Sequence, residues 1–307
     1  MDQSALLVGA AAFLVLVVGP LVLGLAGLSG LHRAPKAVVA ERVSPWNFKP
    51  TINSAILYAL AFNLTFLIQE LFLVIPKAFT PGLKATLFHN DHTWTGVNPL
   101  ASLFQGTGAL AIFLSAISCT LLLQRIPARS SSLRLFLVWM AFNGFFQSLP
   151  QVVIGSIEPG NDVGTAMEYL KLGTPAKVVA ALVALIAIPI VALWLRRPLL
   201  ALAENPADIE SGRARTIFMF RLATLPAMAA ILLIIPFRIP RQFIEVVMVP
   251  VTVTFVGVAW LQAGAWASSG IKLSGRLHEG LISYSIVALV MLLLIFQLVL
   301  RPGIRFY

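Results

Sequence analysis

The chain has 307 residues, 59% of them hydrophobic and 11% charged, with a formal charge of +10 from 22 Lys and Arg against 12 Asp and Glu. Soluble domains carry about 25% charged residues, and one core could not hide this much apolar surface from water, so the composition excludes a soluble globular protein and names the lipid bilayer as partner. The basic excess reads as loops facing anionic headgroups. It does not read as a nucleic-acid footprint, because no basic stretch is interleaved with aromatic residues.

A helix crosses the hydrocarbon with about 20 mostly apolar residues, and lipid offers the backbone no partner but itself, so every crossing should be α-helical. Eight segments qualify: 4–31, 52–76, 100–124, 133–157, 176–195, 216–237, 242–268 and 280–300. The expected fold is an all-α polytopic bundle, one integral membrane domain over residues 1–307. The first segment follows Asp2 rather than a basic stretch and is longer than a signal-peptide core, so it reads as a retained span. Its Gly24, Gly27 and Gly30 suit close helix packing. Cys119, the lone cysteine, reads as a small buried hydrophobe. The sixth and seventh segments are separated only by Arg238-Ile-Pro-Arg241 and contain Pro226, Pro236 and Pro250, which leaves open that one of them is broken or re-entrant.

Orientation follows the Lys/Arg bias of alternate loops. With the N-terminus outside, the inner loops hold Arg33, Lys36, Arg42 and Lys49, then Arg125, Arg129 and Arg134, then Arg196, Arg197, Arg213 and Arg215, then Lys272 and Arg276. The outer loops hold fewer: Lys77, Lys84, Lys171, Lys177, Arg238, Arg241, Arg301 and Arg305. The expected location is a bacterial inner membrane.

Polar groups inside spans are costly and become candidate sites. The second span carries Asn63, Gln69 and Glu70; Glu70 lies seven residues before Lys77, roughly 10 Å below the outer boundary at 1.5 Å per residue. The loop that follows reads Phe88-His89-Asn90-Asp91-His92-Thr93-Trp94. Its H-x-x-H spacing can present two imidazoles to a divalent metal such as zinc, with Asp91 as a third ligand or an outer acceptor. On the fourth span, Asn143, Gln147 and Gln151 recur every four residues and share one helix face. That span ends at Glu158, followed by a Pro-Gly-Asn-Asp162 turn on the same side as the histidine loop. Glu70, His89, His92, Glu158 and Asp162 are therefore expected to converge. The competing account is that these groups only glue helices together. His32 and His278 read as interface residues, and Arg221 is expected to pair with Glu245 across the sixth and seventh spans.

The second span resembles a degenerate form of the H-E-x-x-H helix of the site-2-protease-like intramembrane metalloproteases, and the stretch from Asn143 to Gly164 is similar to the later Asn/Pro/Asp-Gly region of that family. The resemblance implies Glu70 as the catalytic glutamate and Asp162 as the aspartate ligand. The two histidine positions are Gln69 and Leu73 here, so it implies a non-proteolytic relative. Three function classes stand: a subunit of a membrane complex with other membrane subunits as partners, a metal-dependent hydrolase using His89, His92 and Asp162 with Glu70 as base, and a proton- or ion-coupled transporter.

Overall fold

The computed structural model describes residues 3–33, 45–127, 130–273 and 282–307. Lys36, Arg42, Arg129, Arg276 and His278 lie outside the described residues. Among the described residues, eight helices are long and apolar enough to cross a membrane: Gln3–Ser29, Phe48–Ala78, Leu100–Arg125, Ser131–Ile157, Thr174–Leu200, Gly212–Arg238, Glu245–Ala267 and Ile282–Leu300, here spans 1 to 8. The chain is an integral membrane protein built as an all-α bundle.

Spans 6 and 7 are both full-length helices, 27 and 23 residues, so neither is re-entrant. The irregularity of span 6 is absorbed by a neighbour. Span 6 widens into a π-helical turn at Phe220–Thr224, and side chains of span 2 take up carbonyls there. Thr51 Oγ1 donates to the Arg221 carbonyl at 2.9 Å and Ser54 Oγ to the Leu222 carbonyl at 2.6 Å. A backbone group freed inside lipid must find such a partner.

Span 4 is the centre of the bundle, with 78% of its most apolar stretch buried; spans 1 and 8, at 11%, form the rim. Trp139 of span 4 is fully buried, donates its Nε1–H to Ser54 Oγ at 3.0 Å and packs edge-on against Tyr58. Gly144 lets spans 3 and 4 touch closely: a Cβ there would stand 2.6 Å from the Ile112 carbonyl oxygen and 2.8 Å from the Ala116 Cβ.

The segment after span 2 is a β-hairpin, which the sequence reading took for a plain loop. Strand β1 (Leu83–Leu87) pairs antiparallel with β2 (His92–Gly96) and with β3 (Ile304–Arg305), in the order β2-β1-β3. Leu83, Ala85 and Leu87 point inward while Lys84 points out, the period-2 pattern of a half-buried strand. The connecting turn closes through the Phe88 N–H to the Asp91 carbonyl at 2.8 Å. Pairing of β3 with β1 needs the C-terminus on the same face as the hairpin, as six further crossings after span 2 supply. The hairpin tip is tied to the span 6–7 connection. Asn90 Nδ2 donates to the Phe237 carbonyl at 2.7 Å, and Arg241 donates to the Asn90 carbonyl at 2.6 Å. Arg241 also pairs with Asp91 at 3.0 Å and Glu245 at 2.8 Å. Glu245 thus serves Arg241 rather than the expected Arg221, whose guanidinium lies over the Trp46 ring at the other face.

Candidate functional site

Under the hairpin, four segments meet on a buried polar cluster. Span 2 supplies Glu70 and Lys77, β2 supplies His92, the irregular turn Phe104–Gly106 supplies Gln105, and the short helix Asp162–Tyr169 supplies Asp162 in its first turn. That helix is positioned by Asn161, whose side chain caps it by accepting from the Gly164 N–H at 2.7 Å.

Gln105 is the hub. Its Oε1 accepts from Lys77 Nζ at 2.6 Å and lies 3.0 Å from His92 Nε2, while its Nε2 donates to Asp162 Oδ1 at 2.9 Å. An ammonium only donates and a carboxylate only accepts, so Lys77 and Asp162 together fix which end of the amide is oxygen. His92 Nε2 must then carry a hydrogen. The other ring nitrogen, Nδ1, lies 2.9 Å from Glu70 Oε2. Two arrangements satisfy that contact: an imidazolium beside a carboxylate, or a neutral ring beside a carboxylic acid. They differ by the position of one shared proton.

Charge balance favours keeping that proton. With it, the cluster holds two cations and two anions; without it, one negative charge is left over where water is scarce. The side chains of His92 and Glu70 are 7% and 6% exposed. Burial alone would depress the His92 imidazolium, but the hydrogen bond and charge of Glu70 outweigh it, and the ring titrates above its usual range despite the opposing charge of Lys77. Burial raises the Asp162 carboxyl, and the charge of Glu70 adds to this while His92 and Lys77 oppose it. Lys77 reads from sequence as an exposed boundary residue but is fully buried. Its ammonium donates to the Leu73 carbonyl and lies 4.4 Å from the centre of the Trp94 ring, which itself stacks on His92.

The expected zinc set of His89, His92 and Asp162 is not assembled: among the described residues, no group of three or more His, Cys, Asp or Glu is placed to hold a metal ion. Both nitrogens of His92 are engaged, and the cation at the centre of the cluster is Lys77. His89 lies apart, buried at the hairpin turn beside the Ile239 carbonyl, with neither ring nitrogen in a well-formed hydrogen bond. Burial, then the charges of Arg241 and Arg301, hold it below its usual range. Asp91 faces Arg241 and accepts from the His92 N–H at 2.8 Å. Glu158 is exposed at the end of span 4. At the histidine positions of the protease motif, the Gln69 amide accepts from Gln151 and Leu73 is a buried apolar side chain.

The polar stripe continues from this cluster into the bundle. Gln151 Nε2 donates to Gln69 Oε1 at 2.9 Å, Gln147 Nε2 lies 3.5 Å from Asn143 Oδ1, and Asn143 donates to the Trp139 carbonyl. Asn63 donates to the Ala59 carbonyl within its own helix. Tyr58 shares a hydrogen with Thr254 at 2.8 Å, and Ser54 follows one turn further. Gln105 and Lys77 were the members missed from sequence. The available signal was Gln105 standing alone in an apolar stretch beside Gly106 and Gly108. Compared with known proteins, the chain matches no family model, no curated protein and no solved structure.

Proposed function

We propose that this is a proton-translocating membrane transport protein in which the Glu70–His92 pair holds the working proton. The observation that carries the reading is the Gln105 amide, which pins His92 as a donor at Nε2 and so leaves one mobile proton on the Glu70 side. A second feature supports it. Hydrogen-bonding side chains recur along spans 2 and 4 from Ser54 near one face to Glu70 near the other, and polar groups at that depth face protein or water rather than lipid. On this reading the hairpin face and the N-terminus lie outside a bacterial inner membrane, which the Lys/Arg bias of the loops supports.

The test is proton flux into vesicles containing the purified protein, read with an enclosed pH dye under an imposed potassium-valinomycin potential. Wild-type protein is expected to carry protons above empty vesicles, with Glu70→Gln and His92→Gln falling to background. Equal flux in wild type and both variants overturns the reading.

A second reading, a subunit of a larger membrane assembly, is favoured by spans 1 and 8, which bury only 11% of their most apolar stretches and leave broad helix faces for neighbours. Stoichiometric partners on mild-detergent purification would favour it over a self-sufficient transporter.

A further inference from the structure

We propose that the cleft between spans 2, 4 and 7 is a binding site for an uncharged lipid with a hydroxyl headgroup, seated on Gln69, Gln147 and Gln151. The cleft holds about 350 Å³, within the roughly 300–1,000 Å³ typical of small-molecule sites. Its walls are Phe66, Phe146, Pro150 and Val253, and at its rim Ile154 and Met248 are about half exposed on the outside of the bundle. The opening therefore faces the bilayer, in the half nearer the hairpin.

Three glutamines in an apolar membrane cleft need a reason. Gln147 is 5% exposed, yet among the described residues its Oε1 has no hydrogen-bond partner, and its Nε2 makes only long contacts of 3.4 and 3.5 Å. A buried acceptor left unmade is costly. Gln151 Nε2 is occupied twice, by Gln69 Oε1 and by the Gln147 carbonyl, which fixes both amides. Gln69 Nε2 and Gln151 Oε1 then remain without a hydrogen bond among the described residues, one a donor and one an acceptor.

A site offering spare acceptors and a spare donor suits a group that both donates and accepts. A hydroxyl does so with one atom; an ester or ether only accepts, and an ammonium only donates. Among the described residues no Lys, Arg, Asp or Glu lines the cleft, so a phosphate or carboxylate would be buried without a counter-charge. The simplest group that meets these conditions with one atom is a neutral alcohol on a hydrocarbon chain. No residue of the proton pair lines the cleft, although its three glutamines belong to the polar stripe of spans 2 and 4.

The probe is a sixteen-carbon primary alcohol bearing a diazirine in its chain, compared with its methyl ether and the matching fatty acid, on full-length protein in lipid nanodiscs. Crosslinks are mapped by mass spectrometry. The alcohol is expected to label residues of the cleft about fivefold more than the ether, the ratio a single neutral hydrogen bond supplies. Gln151→Leu and Gln147→Met should remove that preference, and Val253→Trp should block labelling altogether. Equal labelling by alcohol and ether, or stronger labelling by the acid, overturns the proposal. The wild-type comparison alone decides it if a glutamine variant does not fold.

Discussion

Replacing Glu70 with Gln tests the buried pair through its pH dependence. In the wild type, Glu70 Oε2 lies 2.9 Å from His92 Nδ1, with both side chains under a tenth exposed. A hydrogen bond to a charged group contributes about 1.5–3 kcal/mol, a neutral one about 0.5–1.5 kcal/mol. In Glu70→Gln the amide can still bond the ring at Nδ1, but it brings no negative charge to stabilise an imidazolium. The sign follows from the raised His92. A group whose folded value lies above its free value of about 6.5 contributes stability that is fully present below that pH. The contribution fades as pH rises through the folded value. The variant should therefore lose about 1.5–3 kcal/mol near pH 5.5, the charge-assisted bond, and clearly less at pH 9, where a neutral bond replaces it. Denaturant or thermal unfolding in detergent micelles at the two pH values reads the difference. An equal loss at both, or a larger loss at pH 9, refutes the shared-proton description.

Lys77→Met removes one cation from the balanced cluster and should cost about 3–5 kcal/mol, as removal of one buried charge partner does; Lys77→Met with Asp162→Asn restores neutrality and should recover most of it in a double-mutant cycle. Gly144→Val forces a side chain against the Ile112 carbonyl, and unfolding measurements should show a loss of about 1–3 kcal/mol with overpacking as its cause. Arg241→Ala frees the hairpin tip from Asp91, Glu245 and the Asn90 carbonyl; hydrogen exchange should quicken at residues 88–92 while the spans stay protected. Treatment with a divalent-metal chelator should leave the melting temperature unchanged, because His92 already gives both nitrogens to Glu70 and Gln105; a marked drop would show a metal-held site.

The bundle was legible because composition and segment length decide it: eight apolar runs in the sequence became eight helices, with ends shifted by a few residues. The prolines of spans 6 and 7 misled because their local signal is a break; in span 6, Thr51 and Ser54, far away in sequence, satisfy the Arg221 and Leu222 carbonyls at the irregular turn. The hairpin was missed although Leu83-Lys-Ala-Thr-Leu87 alternates. Its third strand comes from residues 304–305, a pairing no local pattern announces. Glu70, His92 and Asp162 were found as scarce polar residues in an apolar chain, and the topology brings them together. Lys77 and Gln105 were not, because a lysine at a span end ordinarily reaches for water. Only the fold shows that this one turns inward to a glutamine. His89 shared the signal of His92 but sits past the end of β1, inside the turn, where its neighbours are Arg241 and Ile239.

In the proposed function His92 keeps its hydrogen on Nε2 and exchanges the other one with Glu70. Nitrogen-15 NMR of histidine-labelled protein in nanodiscs, titrated from acid to alkaline pH, reads both ring nitrogens directly. His92 should be doubly protonated to a pH above the ordinary histidine range and then lose the hydrogen at Nδ1 alone, and Glu70→Gln should bring this step to lower pH. A neutral ring carrying its hydrogen on Nδ1, or a titration indifferent to Glu70→Gln, would contradict it.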